Sequence, residues 1–88
     1  IDRGAVRALR QGAGSLLPAG VVGVKGSFKR GDIVDVIDED TVRIAAGIVN
    51  YDSSEVRKVQ GRHSDEMAVL LEHLYGDEIV HRNNMVVV

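Results

Sequence analysis

The 88-residue sequence predicts a single α+β domain that is mainly β, in which short helices flank a twisted sheet that curls toward a barrel. The length suits one small domain, so a second independent core is not expected. Hydrophobic residues form 44% of the chain, which is sufficient for a core. The only aromatic residues are Phe28, Tyr51 and Tyr75, so aliphatic side chains must fill the interior. Valine is the commonest of them, and its β-branched side chain favours strands.

Residues 2–11 predict a short helix at the beginning of the domain. Asp2 can cap its N-terminus, and Gly12 follows its last residue. One face of this helix is apolar and consists of Ala5, Val6 and Leu9. A second face is basic, with spacings of four and three residues, and consists of Arg3, Arg7 and Arg10.

Residues 12–20 predict a loop, or an irregular edge, that leads into a strand over residues 21–24. The loop contains three glycines and Pro18, the only proline of the chain. Glycine and proline interrupt regular structure, whereas three of the four residues that follow are valines.

The central part of the chain predicts a β-hairpin. Residues 32–38 form a β-branched run, the acidic residues 38–40 form a turn, and residues 42–51 form the neighbouring strand. Gly47 inside the second strand indicates a bulge or the close approach of another backbone segment.

A short helix is predicted after the hairpin, beginning at a cap provided by Ser53 or Ser54. It runs through Val59 and is ended by Gly61.

The clearest amphipathic helix is predicted after Ser64, which can cap it. Asp65 and Glu66 suit the positive end of its dipole. Its apolar residues recur at i, i+3, i+4 and i+7 and are Met67, Leu70, Leu71 and Leu74. Gly76 follows the periodic segment.

The last residues predict a second hairpin. Residues 78–81 and 85–88 form its strands, and residues 82–84 form its turn. The turn contains two asparagines, which tolerate the positive φ that tight hairpins need.

The charged residues are distributed unevenly along the chain. Residues 1–30 contain six basic residues and one acidic residue, a net charge of +5, whereas residues 31–88 contain five basic and twelve acidic residues, a net charge of −7. Because salt screens charges over about 8–10 Å, a local basic surface can attract phosphate on an acidic protein. The alternative is that these basic residues form a solvated helix face.

Signatures of the common catalytic sites are missing from the sequence. It has no GxxxxGK[ST], GxGxxG, GxSxG or HExxH motif. The histidines His63, His73 and His81 lack metal-ligand spacing, and we expect His81 to orient the following turn by hydrogen bonds. The acidic turn at residues 38–40 has ligands for a divalent cation, but most acidic tight turns are simply solvated. We therefore predict that the chain is not an enzyme and holds no metal.

The composition of the chain also indicates the cellular compartment. The chain has no cysteine, which excludes disulfides and zinc–thiolate sites and suits a reducing cytosol. No apolar run reaches the about 20 residues needed to cross a bilayer, and no secretory leader begins the sequence. We expect a cytoplasmic protein with no membrane partner. The abrupt beginning at Ile1 suggests a piece of a longer polypeptide.

The glycine-containing loop and the basic residues around it suggest a binding surface. Gly12, Gly14 and Gly20 allow backbone N–H groups to approach a ligand. Five basic residues flank the loop in sequence: Arg7, Arg10, Lys25, Lys29 and Arg30. Such a surface can follow a phosphate backbone, but the glycines are equally explained by the turns of the loop itself. Few aromatic rings are present for stacking bases, so shape and backbone contacts would dominate nucleic-acid binding.

Segments spread over the whole chain carry a family resemblance. The first set is residues 14–21 (GSLLPAGV), 31–34 (GDIV) and 46–51 (AGIVNY). These segments resemble the PUA domain, a module named for pseudouridine synthases and archaeosine transglycosylases. A second set is residues 1–5 (IDRGA), 26–28 (GSF), 50–55 (NYDSSE) and 79–86 (IVHRNNMV). It is similar to the carboxyl-terminal PUA domain of the bacterial glutamate 5-kinases.

The resemblance implies a PUA-like β pseudobarrel of five to six strands with short flanking helices, spanning residues 1–88. It also implies that an amino-acid kinase domain precedes Ile1 and contains the sites for ATP, magnesium and glutamate. Enzymes of this family phosphorylate the γ-carboxylate of glutamate in the first step of proline synthesis, are inhibited by proline, and are expected to be homo-oligomers. The chain itself would then need no cofactor and have no activity.

In related PUA domains, RNA lies against the first helix, the glycine-containing loop and adjoining strands. Matched by position, this surface consists of Arg7, Arg10, Gly14, Ser15, Leu16, Gly20 and Lys25. The resemblance leaves two roles open. The domain either regulates the activity or assembly of the kinase domain of the same polypeptide, or it binds RNA.

Overall fold

The structure is a computed structural model that describes residues 1–12 and 14–88. Within these ranges, the α-helices are α1 (Arg3–Arg10), α2 (Ser53–Val59) and α3 (Met67–Leu70). The strands are β1 (Ile33–Ile37), β2 (Arg43–Val49) and β3 (Val80–Val87), and two 3-10 helices lie at Pro18–Gly20 and Ser64–Glu66. This architecture confirms the predicted α+β class. The described residues contain three strands and one isolated bridge, from Leu16 to Val80, where the resemblance implied five to six strands.

Helix α1 forms as its sequence predicts. The carboxylate of Asp2 accepts a hydrogen bond from the backbone N–H of Ala5 at 2.8 Å, which satisfies an otherwise unpaired donor of the first turn. Gly12 has a φ of +68° just beyond the helix, a conformation that glycine adopts without strain. Leu9 is buried on the face that α1 turns toward the core.

The sheet is antiparallel with the order β1-β2-β3, so β2 is central. The predicted turn after β1 is confirmed: one carboxylate oxygen of Asp38 accepts from the N–H groups of Asp40 and Val42, each at 2.9 Å. Thr41 has a φ of +67° in this turn. The connection is therefore built by local side-chain-to-backbone bonds of the kind that aspartate favours.

Gly47 lies where β3 approaches β2 most closely. A Cβ atom on Gly47 would lie 2.6 Å from the carbonyl oxygen of Asn84 and 2.7 Å from Cγ1 of Val80. The register of β2 with β3 also shifts beside this residue. Both alternatives predicted for Gly47, a bulge and a close backbone approach, are present together.

The prediction of a hairpin over residues 78–88 is wrong. Most of these residues instead form the single strand β3, which pairs with β2 at Val80 and again over residues 85–87. Val80 pairs with Val49 and Met85 pairs with Gly47, so β3 advances five residues while β2 advances two. The asparagine segment is thus a bulge in one strand, because pairing with β2 supplies the hydrogen bonds that a hairpin would have supplied locally.

The long amphipathic helix predicted after residue 64 is also wrong in extent. Helix α3 ends at Leu70, and Leu71 has extended backbone angles. Leu71 still packs in the core, but Leu74 is 51% exposed. The chain leaves the helix because residues 75 and 76 hydrogen-bond to Tyr51, a distant contact that overrides the local periodicity.

Two predicted helix caps are displaced by one residue or more. Asp52, not Ser53 or Ser54, precedes α2, and its backbone N–H donates to the carboxylate of Glu55 at 3.0 Å. His63, rather than Ser64, precedes the next helical turn and accepts from the N–H of Asp65 through Nδ1.

The strand predicted over residues 21–24 is wrong as well. Val21 closes the 3-10 helix by donating to the carbonyl of Pro18 at 3.1 Å, and its side chain is buried. Residues 22–24 form no backbone hydrogen bond to the rest of the described chain. Valine content alone therefore predicted a strand that has no neighbour to pair with.

One core connects all of these elements. Its buried aliphatic and aromatic side chains are Ile1, Leu9, Leu16, Val21, Val36, Ala45, Val49, Tyr51, Val56, Val59, Met67, Leu71, Ile79 and Val80. The core therefore lies between the inner face of the sheet and the helices, and α1 packs against it at the side that contains the predicted binding surface.

Candidate functional site

The predicted binding surface is divided by α1 into two grooves. We call the first the charged groove; it has a volume of about 600 Å³ and is lined by Ile1, Arg3, Val6, Arg7, Arg10, Gln11, Asp38, Glu39 and Asp40. We call the second the loop groove; it has a volume of about 270 Å³ and is lined by Asp2, Gly4, Ala5, Ala8, Leu9, Ser15, Leu16, Leu17, Ala19 and Gly20. Arg7 and Arg10 thus lie on one side of the helix, and Ser15, Leu16 and Gly20 on the other.

The charged groove has one basic wall and one acidic wall. The arginines of α1 form the first wall, and the β1–β2 turn, with Asp38, Glu39 and Asp40, forms the second. Because both walls line the same groove, an ion that enters it experiences the potential of the arginines and of the carboxylates together. The acidic turn therefore lowers the positive potential that Arg7 and Arg10 would present to a polyanion.

Ile1 lines the charged groove and is fixed by hydrogen bonding and burial. Its backbone nitrogen donates to the carbonyl of Ile37, the last residue of β1, at 2.7 Å, and its side chain is buried. Asp2 is fixed in the same way, because its N–H donates to the carbonyl of Gly20 at 3.0 Å. The beginning of the chain is thus held against β1 and the 3-10 helix on successive residues.

Gly20 and Leu16, which line the loop groove, have roles in packing. A Cβ atom on Gly20 would lie 2.7 Å from Cβ of Ala5, so Gly20 permits α1 to pack closely on the loop. Leu16 is 5% exposed and forms the bridge to Val80. These positions need their residue types for the fold alone, and their backbone N–H groups already donate to the carbonyls of Leu17 and Val80.

Ser15 and Gly14 connect the loop to the last strand. The hydroxyl oxygen of Ser15 accepts from the backbone N–H of Arg82 at 2.8 Å. Gly14 has a φ of +145°, which favours glycine. The loop is therefore attached to β3 on one side and packed against α1 on the other. Ala13, between the two glycines, lies outside the described residues.

The remaining basic residues do not line either groove. Lys25 is exposed on the segment between the 3-10 helix and β1. Lys29 and Arg30 lie near α2, since the N–H of Arg30 donates to the carboxylate of Asp52 at 2.8 Å. The structure therefore brings Arg7 and Arg10 together, but separates them from Lys29 and Arg30.

A tyrosine cluster that lines neither groove was not predicted as a structural feature. The guanidinium of Arg30 lies 3.6 Å from the ring centroid of Tyr75, and the rings of Tyr75 and Tyr51 are 5.5 Å apart. Burial raises the pKa of the Tyr51 phenol, the Tyr75 N–H bond opposes this effect, and nearby carboxylates, first Glu55, add to it. Two tyrosines 24 residues apart give no local pattern from which this contact could have been inferred.

Two of the three histidines accept hydrogen bonds from nearby backbone groups. Nδ1 of His81 accepts from the N–H of Asn83 at 3.1 Å, so His81 does make a local hydrogen bond as predicted, but it does so at the bulge of β3 and not at a hairpin turn. In residues 1–12 and 14–88, no three His, Asp or Glu side chains are grouped so that they would hold a metal ion. None of the helices described has both the length and the apolar character that spanning a bilayer requires.

Comparison with known proteins gives one consistent result. The sequence model of the PUA domain matches residues 1–71. Over all 88 residues, the chain is 47% identical to the glutamate 5-kinase of Chromohalobacter salexigens and 49% identical to that of Dehalococcoides mccartyi. Over 85 residues, it is 44% identical to the glutamate 5-kinase of Thermus thermophilus. The chain spans only 23–24% of the length of these relatives.

A solved structure supports the same relationship. The crystal structure of a PUA domain from Aeropyrum pernix, in complex with tartrate, superimposes with a TM-score of 0.65 and 32% sequence identity. The match covers 92% of this chain and 39% of the other. The similarity thus extends over nearly the whole chain and supports the PUA fold.

Proposed function

This chain belongs to the PUA domain family, and from this we propose that it is the non-catalytic, carboxyl-terminal PUA domain of a glutamate 5-kinase and regulates the activity or assembly of the kinase domain. The observation that carries the proposal is the 44–49% identity to glutamate 5-kinases along 97–100% of the chain. On this proposal, ATP, magnesium and glutamate bind to a kinase domain that precedes Ile1. The protein is cytoplasmic, and the longer enzyme is a homo-oligomer.

The charged groove supports a regulatory role over a nucleic-acid role. A polyanion that approached Arg7 and Arg10 would also approach the carboxylates of the β1–β2 turn, which repel it. A protein surface that carries both signs of charge would satisfy both walls of the groove. Electrostatic complementarity of this kind favours a protein partner, such as the kinase domain of the same polypeptide.

The catalytic part of the proposal is tested by phosphorylation of glutamate. Residues 1–88 alone should show no ATP-dependent phosphorylation of glutamate, whereas the longer protein that contains them should be active with magnesium. An active 88-residue chain would contradict the assignment as a non-catalytic domain. An inactive longer protein, shown to be folded and to bind ATP, would contradict the assignment to a glutamate 5-kinase.

RNA binding is the alternative function, and one observation favours it. The arginines of α1 are exposed, and in the described part of the chain they form no ion pair. They therefore remain able to contact phosphates, together with the ammonium of Lys25 and the loop at Gly14 and Ser15. Leu16 and Gly20 would add only shape to this surface, because their N–H groups already donate to the carbonyls of Val80 and Leu17.

The alternative is tested with a charge-reversed pair. The combination Arg7→Glu and Arg10→Glu should weaken binding of a structured RNA, and the affinity of the unaltered chain should fall steeply with salt. The matched control is Lys58→Glu with Arg62→Glu, which changes the net charge equally on exposed residues outside both grooves. Equal losses in the two variants would indicate nonspecific attraction, and no binding at low salt would eliminate the alternative.

A further inference from the structure

The outer face of the sheet exposes a pair of isoleucines that face each other across two strands. Ile33 on β1 is 78% exposed, and Ile48, directly opposite on β2, is 44% exposed. Residues directly opposite on an antiparallel pair have their side chains on the same face and in contact range. This pair therefore forms one aliphatic surface.

The aliphatic surface continues across the sheet. Ala46 lies two residues before Ile48 on β2 and so points to the same face. Val86 on β3 is directly opposite Ala46 and is 69% exposed. We call Ile33, Ile48, Ala46 and Val86 the outer patch; it extends over all three strands.

A charged pair lies at the margin of the outer patch. Asp35 is opposite Ala46, and its carboxylate lies 3.2 Å from Nε of Arg43, with both side chains more than half exposed. An apolar centre with a polar margin is typical of protein interaction sites. An exposed ion pair contributes little to the stability of the domain itself, so its position suits the rim of an interface.

The position of Ile1 indicates which partner reaches the outer patch. The backbone nitrogen of Ile1 lies 2.7 Å from the carbonyl oxygen of Ile37, at one end of β1, and Ile33 begins the other end. A five-residue strand is about 13–17 Å long. Any domain joined in front of Ile1 therefore starts within about 17 Å of Ile33, on an edge strand of the sheet.

We propose that the outer patch is the docking surface for the kinase domain that precedes Ile1. This inference rests on the proposed function, because it assumes that such a domain precedes this chain. The relatives have about three quarters of their length outside the matched region, which is ample for a separate domain. Because the two domains would be covalently joined, docking would be intramolecular, and a short flexible linker gives an effective concentration of about the millimolar range. A small aliphatic patch can then be occupied even when its intrinsic affinity is weak.

Cysteine labelling tests this docking directly, because the chain has no cysteine of its own. The Ile33→Cys and Ile48→Cys variants are prepared both as residues 1–88 and in the longer protein. The matched control is Val69→Cys, on α3, where the native side chain is 87% exposed. Labelling by a maleimide is followed at each site by mass spectrometry of the corresponding peptide, so that cysteines elsewhere do not interfere.

In the longer protein, the residue 33 and residue 48 variants should be labelled at least roughly tenfold more slowly than in residues 1–88. The residue 69 control should be labelled at the same rate in both. Equal rates for the residue 33 variant in the two proteins would overturn the proposal. A second result would also overturn it: slow labelling of that variant in residues 1–88 alone, with a rate that falls further as the protein concentration rises. The patch would then be covered by a second copy of the chain.

The labelling result is independent of catalysis. If the longer protein proves not to phosphorylate glutamate, the proposed function fails, while the labelling rates still report whether the preceding domain covers the patch. If the enzyme is active and the patch stays fully reactive, the docking proposal alone fails.

Discussion

The phenol oxygen of Tyr51 lies 2.6 Å from the carbonyl oxygen of Gly76, to which it donates, and 2.8 Å from the backbone nitrogen of Tyr75, from which it accepts. Tyr51 has no exposed surface, so this one hydroxyl satisfies two backbone groups from inside the core. It holds the segment between α3 and β3 against the end of β2, and it ends the helical periodicity of the preceding residues.

Substitution of Tyr51 by phenylalanine should therefore destabilise the domain. Tyr51→Phe keeps the ring but leaves the carbonyl of Gly76 and the N–H of Tyr75 without their partner, and we expect a loss of about 1–3 kcal/mol in the free energy of unfolding. Urea denaturation measures this loss. The control is Tyr75→Phe, which keeps the backbone N–H and should change stability by about 0.5 kcal/mol or less.

The same tyrosine should give the domain a dependence on alkaline pH. Burial raises the pKa of Tyr51 above its ordinary value of 10.0, so the folded chain holds this proton more tightly than the unfolded chain does. The contribution to stability is complete below pH 10.0 and is lost as the pH rises through the folded-state pKa. The difference in unfolding free energy between the unaltered chain and Tyr51→Phe should thus shrink above that pH. If this difference in unfolding free energy stayed constant at high pH, it would contradict a raised pKa for Tyr51.

Gly47 should tolerate no side chain. In Gly47→Ala, the new Cβ would lie 2.6 Å from the carbonyl oxygen of Asn84, a backbone atom that cannot rotate away. We expect a loss of about 1–3 kcal/mol, as for other overpacked interiors. The control is Gly23→Ala, where no atom lies within 4 Å of the added Cβ. In thermal unfolding, Gly47→Ala should have a clearly lower melting temperature than Gly23→Ala. Similar melting temperatures would show that β3 does not approach β2 as closely as described.

Met67 and Leu74 should differ in their contributions to stability, although they lie at equivalent positions of one helical repeat. Met67 is 1% exposed, whereas Leu74 is 51% exposed. Met67→Ala should therefore cost about 2–5 kcal/mol, and Leu74→Ala should cost about 1 kcal/mol or less. Chemical denaturation of both variants measures the difference. Equal losses of unfolding free energy would contradict the end of α3 at Leu70 and would support the continuous helix that the sequence alone predicts.

The acidic wall of the charged groove should control any binding of nucleic acid. Glu39→Gln with Asp40→Asn removes two carboxylates without disturbing Asp38, whose side chain builds the turn. If RNA binds at Arg7 and Arg10, its affinity should rise about twofold to fivefold for each charge removed, because exposed charge pairs contribute about 0.5–1 kcal/mol. Fluorescence anisotropy with a labelled RNA measures this change, and an unchanged affinity would exclude contact with this groove.

The elements that the sequence predicts correctly are those built by local contacts. The cap at Asp2 and the turn at Asp38 both depend on bonds to residues two to four positions away, and such patterns are visible in the sequence. The errors concern distant contacts. Tyr51 ends the helical periodicity by bonding to residues 24 and 25 positions later, and pairing with β2 replaces a hairpin within residues 78–88. Local periodicity does not contain this information.

In the candidate site too, the features predicted from sequence are local, and those missed depend on distant contacts. The shared face of Arg7 and Arg10 follows from helical spacing. The packing role of Gly20 does not, because it depends on the direct contact of α1 with the loop at Ala5. The acidic wall opposite the arginines belongs to a turn about 30 residues away. Its effect on the basic helix could only be found once the fold placed the two together.

The regulatory role is tested most directly by the response of glutamate phosphorylation to proline in the longer enzyme, with and without residues 1–88. Both proteins must bind ATP, so that a loss of folding is not mistaken for a regulatory effect. The proposed function predicts that the shortened enzyme still phosphorylates glutamate, but with an altered rate or an altered proline concentration for half-inhibition. A shortened enzyme whose rate and proline inhibition both equal those of the complete enzyme would contradict it.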